Sequence, residues 1–510
     1  MRSPEQPIVV IGAGLSGLSA AYTLHQHLHQ KRVSVQVLEA GPTVGGVIQT
    51  QHHETNAGVF QIEAGPHTYL STAQALSGVV DSLGLSPQAA NPSAKTRWIG
   101  RTTAHGLLLD PLPHGPLSAL TTPVLSLGGK LRVLGDLFQP CHPHAHTASV
   151  RDWITHRFGA EVCDHLVAPF LTGVYAGDPD QQQAAAIFKK LVDLETQYGS
   201  VLRGVLSGGL RSPQDAGAPA RKKGPYQLLS FSDGMQALPQ ALAKALGDRV
   251  HCHTCVTQLT PHPEGGWTIT TQNTRSETTT QHAAAIVMAT PSGVAAQLLA
   301  PCLPPSAIEQ LRDLPYAPIA VPHLGFSRQA LLNTGLTETR LTELLAGFGF
   351  LTRKPQPQGT GNWPYRILGS IYVSSLFPDR APTEHILLSC FIGGMRFPDD
   401  AHQEDTALIQ HAVKDLAAFW QCPNPLPAPV FSSVVRWLQA IPQFVIDPKT
   451  GLTHTARINA LNEGLATFAA NCPQSPLALA GNYYSGVSVN DCVRSGQTAA
   501  NTLLAAMSLV

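Results

Sequence analysis

Three glycines at fixed spacing stand at the start of the chain. In "PIVVIGAGLSGLSAAYTL", Gly12, Gly14 and Gly17 follow a β-branched run, Ile8 to Ile11, and lead into a helical stretch that opens on Leu15. The spacing has a physical reading. Gly12 allows a tight turn, Gly14 lets backbone approach a pyrophosphate, and Gly17 lets the helix pack on the strand, with the helix N-terminus facing the phosphates. Ala13, Leu15 and Ser16 complete the loop. A second strand-like run, "VSVQVLEA", ends in Glu39, 22 residues after Gly17. A carboxylate there accepts hydrogen bonds from an adenosine ribose. Strand, glycines, helix, strand and acid in register predict a dinucleotide site.

Two other clusters carry ligand-type side chains. Cys252 and Cys255 in "HCHTCV" have CxxC spacing, but the segment reads as a strand and no second CxxC accompanies it. "CHPHAH" brings Cys141, His142, His144 and His146 together in a proline-interrupted, loop-like stretch. Neither is read as a metal or redox site.

The rest of the composition limits the function classes. At 510 residues the chain exceeds one core, so two or three lobes are expected. Lys+Arg and Asp+Glu both number 33, so no basic excess exists to attract nucleic acid. Hydrophobic residues at 43% against 13% charged suit an apolar ligand or a lipid surface. Nine scattered cysteines lack the density of a secreted disulfide scaffold and point to a reducing compartment. Seven residues precede the first strand, too few for a targeting peptide, and the glycines of the first apolar run argue against a membrane span. The expected location is cytoplasmic with peripheral membrane contact.

After Glu39 comes "AGPTVGGVIQT", whose Gly45-Gly46 resembles the paired glycine of the FAD-dependent amine oxidase superfamily. Val47 stands where that superfamily usually carries Arg. "EAGPHTY", with Gly65, Pro66, His67 and Thr68, resembles a second flavin-side loop of the same proteins. Both loops favour FAD over NAD. "FSDGMQALPQALAKALG" reads as a turn and an amphipathic helix, and Val256 holds the place where the superfamily lays a strand against the adenine. "AAAIVMATP" reads as a buried parallel strand. Near the C-terminus, "ALAGNYYSGVSVNDCVRSG" reads as a strand end and a helix N-terminus. It brings Asn482 and the amides of Val487, Ser488 and Val489 to the flavin, where donors would favour the reduced ring. General amine oxidases usually carry Glu at the Asn482 position.

The full set of motifs narrows the resemblance to the oxygen-dependent protoporphyrinogen oxidases. It rests on "GAGLSGL", "EAGPHTY", "KTRWI", "LVAPFLTGVYAGDP", "FSDGMQALP", "LGSIYVSSLFPDRAP", "FIGG" and "GVSVNDCVRSG", and runs nearly end to end. It implies an α/β fold: a Rossmann-type FAD domain built from discontinuous segments, a mixed α+β substrate domain and a helical membrane-contacting domain. The segments expected are 1–90, 228–300 and 436–510 for the FAD domain, 91–205 for the helical domain and 301–435 for the substrate domain, with a linker at 206–227. It also implies substrate residues: Arg97 for a propionate of the tetrapyrrole, Leu351, Ile371 and Phe391 as apolar walls, and Gly173 bordering the cavity. The implied reaction is six-electron oxidation of protoporphyrinogen IX in haem and chlorophyll biosynthesis, with oxygen as acceptor. No acid–base pair is required, no metal is expected, and a homodimer is compatible. Three alternatives remain: coproporphyrinogen III as substrate, an amine oxidase or carotenoid desaturase relative, or a flavin-binding tetrapyrrole carrier without turnover.

Overall fold

The computed structural model describes residues 6–28, 33–94, 96–103, 106–112, 122–208, 227–354 and 364–508. The β-branched run Ile8–Ile11 becomes the central strand of a parallel five-stranded sheet. Its order is Val250–His251, Val35–Leu38, Ile8–Ile11, Ala285–Met288 and Leu477–Leu479. Ile8 stands opposite Val35 on one side and Ala285 on the other. Every residue of Ile8–Ile11 and Ala285–Met288 is buried, as a sheet covered on both faces requires. Ile8 and Val10 pack under the helices Leu15–Leu28, Ala237–Leu246 and Val489–Ala506. Val9 and Ile11 face an antiparallel sheet of Thr254–Pro261, Trp267–Asn273 and Thr278–Ala283. One lobe is thus assembled from three distant stretches of chain.

A second lobe is built on a seven-stranded sheet. Its order is Phe431–Pro442, Tyr316–Ser327, His385–Gly393, Ile367–Tyr372, Gly347–Thr352, Thr96–Thr103 and Gly106–Pro111. Alternation along these strands separates two faces. Phe350, Tyr372, Leu388, Cys390 and Ile392 join the core around the helix Asp405–Trp420. Their sequence neighbours Leu351, Ile371, Ser389 and Phe391 therefore belong to the opposite face.

This sheet corrects two expected boundaries. The stretch 91–205 is not helical throughout: Thr96–Thr103 and Gly106–Pro111 form a hairpin at the sheet edge. The strand Phe431–Pro442 crosses the expected boundary at 435, because it pairs along Tyr316–Ser327 as far as Pro442. The helices of the remaining region include Leu127–Leu134, Val150–Phe158, Ala168–Tyr175 and Lys189–Tyr198. Buried charge fixes them: Arg157, fully buried, pairs with Asp136 and Glu195, and Ser200 Oγ donates to Asp136. Most of the expected linker, 209–226, lies outside the described residues, as does 113–121 of the apolar stretch before the helices. No helix among the described residues is long and apolar enough to cross a membrane.

Candidate active site

The three glycines of the first turn do different work. Gly12 has φ +102°, a conformation that a side chain strains, and a Cβ there would lie 2.8 Å from the Ala289 carbonyl oxygen. A Cβ on Gly17 would lie 1.9 Å from the Gly12 carbonyl oxygen, so Gly17 is needed for helix Leu15–Leu28 to meet the turn. Gly14 differs. A Cβ there meets no atom within 4 Å. The chain leaves space at the one glycine of the turn where the sequence predicts a close-approaching pyrophosphate, beside the helix N-terminus.

The neighbouring segments close around that space. Gly14 bridges Gly45, whose amide donates to the Ala13 carbonyl over 2.8 Å. Glu39 Oε2 accepts from the Ala13 amide at 2.7 Å and Oε1 from the Gly41 amide at 2.8 Å. These bonds fix the carboxylate beside the loop and leave lone pairs for ribose hydroxyls. The turn carrying Gly46 and Val47 continues to the second loop, where a Cβ on Gly65 would lie 2.3 Å from the Val47 carbonyl oxygen. Pro66 and Thr68 are half-buried, His67 buried and Val47 exposed. Ala13, Leu15 and Ser16 are buried. These residues fit a dinucleotide. Val256 is buried in the core beneath the sheet; its strand, Thr254–Pro261, starts beside Glu39, with the Thr254 amide donating to the Glu39 carbonyl at 2.8 Å.

At the C-terminal end, Asn482 opens the short helix Asn482–Ser485, and Val489–Ala506 begins after Ser488. Ser488 and Asp491 form a reciprocal capping box. The Ser488 amide is thereby used at the cap, so Val487 and Val489 carry the amides left for a ligand. Gly496 serves packing: a Cβ there would lie 2.2 Å from the Ser16 carbonyl oxygen, which ties this helix to Leu15–Leu28.

The strand registers gather the remaining sequence candidates. Arg97 stands opposite Gly349, Gly349 opposite Ile371, and Ile371 opposite Ser389. The next row runs Leu351, Gly369, Phe391. Leu351, Ile371 and Phe391 are all half-buried; Ile371 and Phe391 also pack against smaller apolar clusters on this face of the sheet. Gly173 approaches from helix Ala168–Tyr175, and a Cβ there would lie 2.4 Å from Leu351 Cδ2. Arg97 sits at the edge, its guanidinium 5.6 Å from the Phe348 ring centre. It forms no ion pair among the described residues. A half-buried guanidinium without a carboxylate is a ready partner for an anionic group.

Two polar devices join the flavin-side loop to this sheet, and only the geometry reveals them. His67 Nε2 lies 3.0 Å from Ser389 Oγ, which lies 2.9 Å from His323 Nδ1. The His67 ring meets Phe391 edge-on at 6.2 Å. One strand earlier, Glu63 and Arg380 form a buried ion pair at 3.0 Å. Thr50 Oγ1 and the Met235 amide donate to Glu63, and Arg380 donates to Ser230 Oγ. Burial pushes the Glu63 carboxyl up to about 7 against the opposing Arg380 charge. The cysteine and histidine clusters do not converge: among the described residues no three His, Cys, Asp or Glu side chains gather as a metal site. Cys141 Sγ instead contacts the Glu195 carbonyl.

The chain resembles known proteins over nearly its whole length. The family described as flavin-containing amine oxidoreductase matches residues 15–504. The chain is 32% identical to protoporphyrinogen oxidase 1, chloroplastic, of Arabidopsis thaliana, covering 95% of this chain and 85% of the relative. It is 26% identical to coproporphyrinogen III oxidase of Bacillus subtilis (strain 168), over 99% of each. A crystal structure of an Exiguobacterium sp. 255-15 protein superposes with a TM-score of 0.73 at 22% identity, covering 99% of both chains, which shows the shared fold.

Proposed function

We propose, from the premise that this chain belongs to the flavin-containing amine oxidoreductase family and to its protoporphyrinogen oxidases, that it oxidises protoporphyrinogen IX to protoporphyrin IX with bound FAD. The observation that carries the reading is the flavin-side loop reaching, through His67, the apolar rows Leu351, Gly369, Phe391 and Gly349, Ile371. FAD, when bound, supplies the acceptor for hydride from a bridge methylene of the substrate. The loop of Gly12 to Gly17, Glu39 and the amides of Val487 and Val489 would hold it.

The chain's own residues have a modest chemical task. A methylene between two electron-rich pyrroles gives up hydride readily, so holding the macrocycle and excluding water supply most of the effect. Leu351, Ile371 and Phe391 offer apolar contact to the ring, and Gly173 lets helix Ala168–Tyr175 come close to Leu351 beside them. Arg97 orients the ring through a propionate, which a guanidinium can grip with two parallel bonds. Three two-electron rounds complete the porphyrin, with oxygen as the final acceptor.

The Bacillus relative motivates coproporphyrinogen III as the rival substrate. The apolar character of the wall favours protoporphyrinogen, which has two fewer propionates. Porphyrin fluorescence and oxygen uptake, measured side by side on the two porphyrinogens, test the choice. Faster turnover of coproporphyrinogen would reverse it, and absence of fluorescence from both would overturn the function.

Membrane contact belongs to the same proposal. Leu127, Leu131 and Leu134 on one helix, with Phe138 just beyond it, recur at 4, 3 and 4 residues and form one exposed stripe. Phe138 is 85% exposed and Leu127 75%. Large apolar side chains at helical spacing facing outward suit the interface of a bilayer.

A further inference from the structure

The buried hydroxyl of Ser389 sits between two imidazoles, His67 Nε2 at 3.0 Å and His323 Nδ1 at 2.9 Å. A hydroxyl has one proton to give, so the neutral chain has two forms. In one, His323 Nδ1–H donates to Ser389 Oγ and Ser389 donates to His67 Nε2. In the other, both directions reverse. His323 Nε2 decides between them, because it is buried with no partner among the described residues. The reversed chain puts a proton on that nitrogen and leaves a buried donor without an acceptor. The first leaves an unused lone pair there and moves the proton without a protein acceptor to His67 Nδ1, which, unlike His323 Nε2, is not among the fully buried atoms lacking a partner. Orphaned buried donors are rarer than under-used acceptors, so the first form is favoured. It places the His67 proton on Nδ1.

Charge acts in the same direction. Burial, then the His323 and Arg380 charges, hold His67 well below the usual imidazole range. Burial, then His53, lowers His323 to about 3. Neither ring takes up a proton near neutral pH. His67 is also the point at which the flavin-side loop reaches the apolar wall, with Phe391 at its edge and Ile371 beside its Ser389 anchor.

We propose that His67 faces the contact between tetrapyrrole and flavin as a fixed hydrogen-bond donor through Nδ1, with Ser389 and His323 as the positioning residues that set its tautomer and ring plane. The ligand assignment rests on the function proposed above; the tautomer does not. A donor held this way favours negative charge developing in front of it. It cannot accept the pyrrole proton, which must leave by another route.

The test uses FAD-loaded protein without tetrapyrrole, so its failure is distinguishable from failure of the proposed reaction. Nitrogen-15 histidine NMR, with His67 assigned by loss of its signals in His67→Asn, should show one Nδ1–H tautomer from about pH 6 to about pH 8, the range in which a free imidazole titrates. Ser389→Ala should convert it to a mixture. His67→Phe removes the donor, and a ten-fold loss in stabilisation of the reduced flavin lowers its two-electron potential by ~30 mV. His67→Asn retains a neutral N–H and should keep the wild-type potential, a distinction that packing alone would not produce. An Nε2–H tautomer, a His67 titration in that pH range, or an unchanged potential in flavin-replete His67→Phe would each overturn the proposal. Should His67→Phe fail to fold, the NMR comparison of wild type with Ser389→Ala decides.

Discussion

Replacing Gly14 by valine should empty the protein of flavin while leaving it folded. A Cβ at Gly14 meets nothing within 4 Å, and its backbone is outside the positive-φ region. A half-buried substitution into open space adds no clash and should change folding stability little, within about 0.5 kcal/mol. The ligand tells a different story, because the valine methyls fill the space that brings phosphate oxygens to the loop amides. Loss of two hydrogen bonds to charged oxygen, at ~1.5–3 kcal/mol each, weakens binding by about two to four orders of magnitude.

The flanking glycines supply the controls. Gly12→Ala combines left-handed backbone at φ +102° with a 2.8 Å approach to Ala289. The handedness alone costs ~1–2 kcal/mol. Gly17→Ala is tighter, since its Cβ would stand 1.9 Å from the Gly12 oxygen, where ordinary contact needs about 3.5–4.0 Å. The helix must shift, and overpacking of this kind costs ~1–3 kcal/mol or more. Urea unfolding of the flavin-free forms should therefore rank Gly14→Val near wild type, Gly12→Ala lower and Gly17→Ala lowest. Flavin absorbance of purified Gly14→Val should fall close to baseline. Stoichiometric FAD in that variant, or unfolding as severe as that of Gly17→Ala, would refute the division of labour.

Other consequences concern the wall, the rim, the buried ion pair and the exposed stripe. Arg97→Ala should raise the Michaelis constant about ten- to a hundred-fold with flavin still bound, the scale of one charge-assisted bond, and Lys should recover only part; a wild-type constant removes Arg97 from the site. Gly173→Val, with its first carbon only 2.4 Å from Leu351, should impair turnover without changing flavin content, and normal turnover would show that Gly173 does not border the substrate. Arg380→Met leaves the Glu63 carboxylate buried without its cation, at a cost of ~3–5 kcal/mol. Because burial already raises Glu63 to about 7, its protonated form is the better tolerated one. The deficit should therefore shrink as pH falls below 7 and be largest above it; a pH-independent deficit in urea unfolding contradicts this. Leu131→Asp with Phe138→Asp should abolish flotation with anionic vesicles at unchanged stability, and retained flotation would remove the stripe from the membrane contact.

What the sequence revealed and what it hid divide along a physical line. The glycine turn was readable because its requirements are local: the turn and the helix contact lie within Gly12 to Gly17, and Glu39 follows after one more strand. The strands Ile8–Ile11 and Ala285–Met288 were readable because burial on both faces demands an unbroken apolar run. The hairpin from Thr96 to Pro111 was not, since its partner Gly347–Thr352 lies some 250 residues on and its own segment is short and proline-bounded. Leu351, Ile371 and Phe391 came from resemblance alone, as periodicity cannot tell a wall from a core. The same limit is sharper for His67, Ser389 and His323. Their meeting depends on Ser389 standing opposite both Ile371 and His323, and a slip of one residue would turn Ser389 toward the helix Asp405–Trp420. No single strand encodes that choice. It follows from burying Leu388 and Cys390 on one face of the sheet, which obliges Ser389 to meet His67 on the other.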